Sequence, residues 1–340
     1  MSLEKLGWNL HFAAEFTRLG ESSAEPARVA MVDRERFFVW SESGEREAAI
    51  SGRLRHAGDI WPSVGDWVAL DRGGARISAI LPRRTAFSRK QAGDVTREQV
   101  IAANIDILFV VSGLDGDFNA RRIERYLLLA WESGARPIVV LNKSDVCADV
   151  VGAVTATEKV ASGAPVLVIS ALEGGGVPEL EAFLKPGETA ALVGSSGAGK
   201  STLVNRLLGQ ERQFVQEVRA SDSRGRHSTV RRELILAPNG WLLIDTPGLR
   251  EVQLWATPES VALAFDDIAA LALNCRFRDC RHQGEPGCAV LAAGIDESRL
   301  ASYAKLRREL AHLERQQDAR AAQEEKRKIK RIHRAMRHMK

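Results

Sequence analysis

The spacing of hydrophobic positions along this chain changes character three times. Near the N-terminus Leu6, Leu10, Ala13 and Phe16 fall near one face of a short amphipathic helix over 4–18, with Trp8 and Phe12 away from it. After a small polar linker at 20–27 the pattern becomes short alternating or β-rich runs at 29–32, 37–40, 48–54, 66–70 and 76–81, separated by Gly, Ser, Asp and Pro. Five short strands predict a small barrel of the OB type. From about residue 100, apolar strands at 105–111, 137–141, 165–169, 189–193 and 241–244 alternate with helical stretches. That alternation predicts a parallel sheet covered by helices on both faces. Beyond about 255 the strands stop, and helical spacing runs over 259–272 and again through Leu300, Tyr303, Leu306, Leu310 and Leu313.

At 340 residues the chain is too long for one ordinary core. The pattern divides it into an extension at 1–27, a barrel at 28–85, an α/β domain at 86–255, a helical domain at 256–316 and a tail at 317–340. A composition 45% hydrophobic and 27% charged is that of a globular protein, and no apolar run approaches the roughly 20 residues of a membrane span. Residues 1–8 show neither an apolar core nor a cleavage site for export, so the expectation is a cytoplasmic protein; a monomer with no membrane partner is expected as well. The net charge is a modest +4, but residues 326–340 hold eight Lys or Arg and no carboxylate. Such a run suits either a phosphate backbone or a solvated end. On the barrel, Arg53, Arg55, Arg72, Arg76, Arg83, Arg84, Arg89 and Lys90, with Trp61 and Phe87, read first as surface charge and core aromatics and second as an RNA face.

The chemistry lies at strand ends, where open α/β sheets bind ligands. Gly194, Ser195, Ser196, Gly197, Ala198, Gly199, Lys200, Ser201 and Thr202 fit a phosphate-binding loop, after the strand at 189–193 and before a helical stretch. Its glycines turn backbone N–H groups toward phosphate, Lys200 reaches the β- and γ-oxygens, and the Ser201 hydroxyl ligates Mg2+. Asp245-Thr-Pro-Gly248 follows the strand at 241–244; Asp245 can hold Mg2+ through water and the Gly248 N–H can meet the γ-phosphate. Asn142, Lys143, Ser144 and Asp145 follow the strand at 137–141, and the Asp145 carboxylate can accept both guanine donors, a pair that adenine lacks. Ser170, Ala171 and Leu172 follow the next strand and can offer a backbone N–H to the guanine oxygen. The base-reading loops precede the phosphate loop, the reverse of the common order. Circular permutation leaves such a site intact because each motif sits on its own strand end.

Together these motifs, with Pro62-Ser-Val-Gly-Asp-Trp67 and the segment Cys275 to Cys288, resemble the ribosome small subunit-dependent GTPase A family (RsgA, or YjeQ), over about residues 28–316. The resemblance implies an OB barrel, a circularly permuted P-loop GTPase domain and a zinc-bearing helical domain. It further implies GTP turned over to GDP and phosphate during late maturation of the small ribosomal subunit, with rRNA as partner. A metabolic P-loop phosphotransferase and a non-catalytic RNA-binding assembly protein are the readings from other classes. Read independently, Cys275, Cys280, His282 and Cys288 supply three thiolates and one imidazole within fourteen residues, enough for one closed, structural Zn2+ shell. Cys147 stands apart and reads as a small buried residue.

Leu249 follows Gly248, so the Gln that orients water in Ras-like enzymes is absent. Gly197 takes the place where potassium-activated GTPases carry Asn. Between the phosphate loop and Asp245, the polar stretch Ser221 to Val230 reads as the first switch. Within it Thr229, ahead of Ser228, is the expected magnesium-ligating hydroxyl, and His227 the residue that orients or deprotonates the attacking water, a role the family also implies. Lys200, His227 and Thr229 are thus the expected catalytic set.

Overall fold

In a computed structural model of the chain, the described residues are 1–209, 232–245, 261–311 and 315, apart from 21, 22, 34, 58, 59, 91–97, 162, 263 and 298. The chain divides into two compact units, residues 1–89 with 100–253 and residues 90–99 with 254–340.

In the first unit, five strands close a barrel: β1 (Glu25–Asp33), β2 (Arg36–Ser41), β3 (Gly44–Ile50), β4 (Trp67–Leu70) and β5 (Arg76–Ile80). They run in the order β1-β2-β3-β5-β4, and β4 returns to pair with β1. All pairings are antiparallel except β3 with β5, which is the OB arrangement. Inward residues Val29, Phe37, Val39, Val68, Leu70 and Ile77 fill the interior. The run at 48–54 splits: β3 ends at Ile50 and a short helix α1 occupies Gly52–Ala57, started by Ser51, whose Oγ accepts from the Leu54 N–H at 3.2 Å. Of the two barrel aromatics, Phe87 is core and Trp61 is 44% exposed.

β1 also pairs antiparallel with β12 (Arg232–Leu236), so barrel and α/β sheet are continuous in hydrogen bonding. The α/β strands β8 (Ile107–Gly113), β9 (Arg136–Asn142), β10 (Val166–Val168), β11 (Thr189–Val193) and β13 (Leu242–Asp245) lie in the order β10-β9-β8-β11-β13-β12. All are parallel except β12 at the junction. β8 is buried at every residue, as a strand covered on both faces must be. Helices α2 (Ala120–Ser133), α3 (Val150–Ala161), α4 (Val177–Glu181) and α5 (Lys200–Leu208) follow the parallel strands. A ribbon of β6 (Ala86–Lys90) and β7 (Glu98–Ala103) completes the strand set; neither it nor β12 shows a clear apolar alternation in the sequence.

The N-terminal segment departs from its expected helix. A 3-10 turn at Glu4–Leu6 ends at Gly7, whose φ of 88° only glycine takes without strain, and a new helix spans Leu10–Arg18 from an Asn9 cap. This restart rotates the buried face. Leu10 is 90% exposed, whereas Leu6 and Phe12 are buried and Trp8 meets Trp67 edge-on at 4.7 Å between ring centroids. Beneath the segment, fully buried Arg28 donates to the carbonyl oxygens of Leu6, Gly65 (3.3 Å) and Asn104 (3.2 Å) and to Thr189 Oγ1 (2.7 Å). One guanidinium thereby ties together the N-terminus, the barrel and the first residue of β11. Burial pushes it down to about 10, which leaves it charged at neutral pH.

The stretch Pro62 to Trp67 forms the same seam. Asp66, fully buried, accepts from Arg83 Nε and Nη2 at 2.7 Å each and from the Ser63 N–H. Gly65 has φ 88°, and a Cβ there would lie 2.1 Å from the Ala103 carbonyl oxygen. Gly65→Ala must therefore meet the roughly 1–2 kcal/mol left-handed penalty and also displace backbone. We expect its thermal midpoint to fall clearly below that of Gly52→Ala, where no atom lies within 4 Å; equal melting of the two variants would contradict this packing.

In the second unit, Asp266–Ala272 and Ala289–Ala292 are helical (α6 and α7), as are residues 299–311. Arg299 bonds both Asp267 oxygens at 2.7 and 2.8 Å and lies over the Phe265 ring. The basic tail lies outside the described residues, and among the described residues no helix is long and apolar enough to cross a membrane.

Candidate nucleotide site and metal centre

Strand β11 runs into the loop Gly194–Gly199 and then helix α5, whose cap Gly199 has φ 88°. Two glycines are required by close approach. A Cβ on Gly194 would sit 2.1 Å from the Val111 carbonyl oxygen, and one on Gly199 2.2 Å from Asn142 Nδ2. Lys200 Nζ donates to the Gly194 and Ser195 carbonyls at 2.7 and 2.5 Å, so its ammonium is held across the loop mouth. Ser201 stands in the first turn of α5, and Ser196, Gly197, Ala198 and Thr202 complete the segment.

The base-reading loops meet this loop through one side chain. Asn142, 2% exposed at the end of β9, donates from Nδ2 to the Ala198 carbonyl at 2.9 Å and accepts at Oδ1 from the Ala171 N–H at 2.9 Å. Ser170 Oγ donates to Asp145 Oδ1 at 2.6 Å and accepts from the Glu173 N–H. Lys143 takes a left-handed φ of 67°, which carries its side chain back toward β8, while Ser144 starts a 3-10 turn and Leu172 is 71% exposed. Arg206 on α5 donates to the Ala171 and Leu172 carbonyls, fixing the third loop from below. Asp245 ends β13, the strand beside β11, and so reaches the same rim. Gly248, His227, Ser228 and Thr229 lie outside the described residues.

Sequence reasoning missed Arg206 and the loop after β8, where Asp115 and Asp117 bond Lys143 and Ser195. Two aspartates at the carboxyl end of an apolar strand were the available signal. Cys147 is half-buried rather than core, lining a cavity of about 350 Å³ with Leu114, Phe118 and Ala153.

In the second unit Cys275, Cys280, His282 and Cys288 bring their ligand atoms within 4.8 Å of one another. Cys275 Sγ is 3.9 Å from Cys288 Sγ and 3.7 Å from His282 Nδ1, and His282 Nδ1 is 3.4 Å from Cys288 Sγ. A tetrahedron with Zn–S bonds of ~2.3 Å has edges of about 3.8 Å, so the donor set and its spacing fit zinc. His282 takes a left-handed φ of 59° and is buried. Burial would raise the Cys275 thiol, but the Val290 and Ala289 N–H groups at the start of α7 outweigh it and lower the group; burial takes Cys280 up to about 11. Glu285, held at about 2 by the N–H groups of Gln283 and Arg281, closes the intervening turn.

A phosphate loop, base-reading loops upstream of it and an OB barrel in one unit define the class: a circularly permuted P-loop GTPase with an appended barrel. A family model described as RsgA GTPase matches residues 80–255, and another, described as a 50S ribosome-binding GTPase, matches residues 189–328. The small ribosomal subunit biogenesis GTPase RsgA of Opitutus terrae is 47% identical over 357 residues, covering 99% of this chain and 97% of that protein. Its namesake from Xylella fastidiosa strain 9a5c is 54% identical over 302 residues, 85% of this chain and 86% of that one. Among solved structures, YjeQ from Thermotoga maritima aligns with TM-score 0.64 at 26% identity, over 85% of this chain and 99% of that one. YloQ, a circularly permuted GTPase, aligns with TM-score 0.60 at 21% identity over 86% and 96%, a likeness of fold. The chain belongs to the RsgA GTPase family.

Proposed function

We propose that this protein hydrolyses GTP to GDP and phosphate while bound to the small ribosomal subunit, assists the late maturation of that subunit, and turns over faster when bound. The relatives named above carry small-subunit biogenesis in their names. The observation that carries the nucleotide half of the reading is Asn142, which joins the phosphate loop at Ala198 to the guanine-reading loop at Ala171. Phosphate and base contacts are thereby built as one rigid rim.

In this reading the loop from Gly194 to Thr202 wraps the phosphates with its N–H groups, and Lys200 moves charge toward the β- and γ-oxygens. Asp145, oriented by Ser170, accepts the two guanine donors, and the loop Ser170 to Leu172 offers a backbone N–H to the guanine oxygen. Ser201, Asp245 and Thr229 would hold Mg2+, which when bound neutralises charge developing on the phosphates. The Gly248 N–H meets the γ-phosphate, and His227 orients or deprotonates the attacking water. The four-residue cluster holds one structural zinc. The five-part division of the chain and rRNA contacts by the barrel and the helical domain belong to the same proposal, as does a cytoplasmic monomer.

Base reading is tested by Asp145→Asn, which replaces one acceptor with a donor. GTP affinity should fall by at least the roughly 1–3 kcal/mol of an unsatisfied buried polar group, measured by titration calorimetry. Lys200→Ala should weaken all nucleoside triphosphates alike. Unchanged GTP binding by Asp145→Asn would remove that residue from base recognition.

A further inference from the structure

The loop after β8 belongs to none of the motifs read from the sequence, yet it touches two of them. Leu114 N–H donates to the Asn142 carbonyl at 2.7 Å, extending the β8–β9 ladder past the strand end. The chain then turns, with Asp117 N–H on Asp115 Oδ1 and Phe118 N–H on the Asp115 carbonyl, and Asn119 caps α2 through the Arg122 N–H. From this braced loop Asp115 Oδ2 accepts from Lys143 Nζ at 2.5 Å. Asp117 Oδ2 accepts from Ser195 Oγ at 2.7 Å, and its other oxygen accepts from Arg122 Nη2 at 2.9 Å. A Cβ on Gly113 would lie 3.0 Å from Asp115 Oδ1 and 3.5 Å from Lys143 Cδ, so the lysine stem runs close over the end of the strand.

We infer that Asp115 and Asp117 are positioning residues of the nucleotide site: Asp115 fixes the direction of Lys143 and Asp117 fixes Ser195, so that one loop sets both base-reading and phosphate loops. The inference rests on the reading of those loops given above. Neither carboxylate needs to touch nucleotide. An ion pair whose side chains are 31% and 35% exposed contributes little to folding, so its consequence is the choice of one rotamer for a long, flexible lysine. Both carboxyls lie below the usual carboxylate range, Asp115 through its bond from Lys143 and Asp117 through those from Ser195 and Arg122, so both are ionised at neutral pH.

The test is a double-mutant cycle read as the Kd of a fluorescent GDP analogue, with the thermal midpoint of each free protein alongside. Asp115→Ala should weaken GDP about tenfold, the loss of one charge-assisted hydrogen bond, with the midpoint unchanged. In a Lys143→Ala background the same substitution should have less than about a twofold effect, because its route is gone. Asp117→Ala should behave the same way against Ser195→Ala. Should an alanine variant fail to fold, Asp115→Asn and Asp117→Asn keep the shape, remove the charge and are read in the same cycles. Equal effects in both backgrounds, or no effect in either, overturn the inference. If wild-type protein fails to prefer guanine over adenine nucleotides, the reading of the loops themselves is wrong, a result distinct from a neutral Asp115→Ala.

Discussion

Removal of metal from the cluster of Cys275, Cys280, His282 and Cys288 is expected to unfold the helical unit while GTP binding survives. Four ligand atoms within 4.8 Å of one another form a shell that thiol burial alone opposes, since Cys280 rises to about 11 and close thiolates repel. Zinc would supply the compensating charge, and in small domains its binding energy is folding energy, about 10–16 kcal/mol in apparent terms. The helices that flank the cluster in sequence are short, α6 spanning Asp266–Ala272 and α7 only Ala289–Ala292. Purified protein should contain one zinc per chain by elemental analysis. Chelation, or Cys280→Ala, should abolish the protection of amides in 264–311 from hydrogen exchange. The phosphate and base loops belong to the other unit, so GTP affinity should be retained. A metal-free protein with those amides still protected would end the zinc assignment.

The second large effect concerns turnover. His227→Ala should remove most of the small-subunit-stimulated rate, about 10²–10⁴-fold, the range of a positioned acid–base group, with GTP binding unchanged. Leu249, which follows Asp245-Thr-Pro-Gly248, has no polar atom, so the group acting on water must come from elsewhere. His227, in the polar stretch between the phosphate loop and Asp245, is the residue proposed for that role, which the family resemblance also implies. Single-turnover hydrolysis with and without small subunits checks it. A stimulated rate that persists in His227→Ala would exclude the histidine from the mechanism.

What the sequence determined by itself were the features that a short stretch of chain enforces locally. Gly194 and Gly199 announce a phosphate loop because no other residue fits beside the Val111 carbonyl or the Asn142 amide, and that demand is written into consecutive residues. Alternating apolar runs likewise made the barrel legible, because side-chain period follows secondary structure, and wholly apolar runs set between helical stretches did the same for the parallel sheet. Cysteine and histidine spacing pointed to the four-residue cluster for a similar reason: its members lie within fourteen residues. Tertiary structure decided whatever depends on partners distant in sequence. The N-terminal helix could not reveal its buried face, because Phe12 rather than Leu10 turns inward only when Trp8 meets Trp67. Arg28 acquires its role only where Leu6, Gly65, Asn104 and Thr189 converge on its guanidinium. Asp115 and Asp117 carry no local signature either. Their role arises from β8 lying between β9 and β11, which sets one loop against Lys143 on one side and Ser195 on the other.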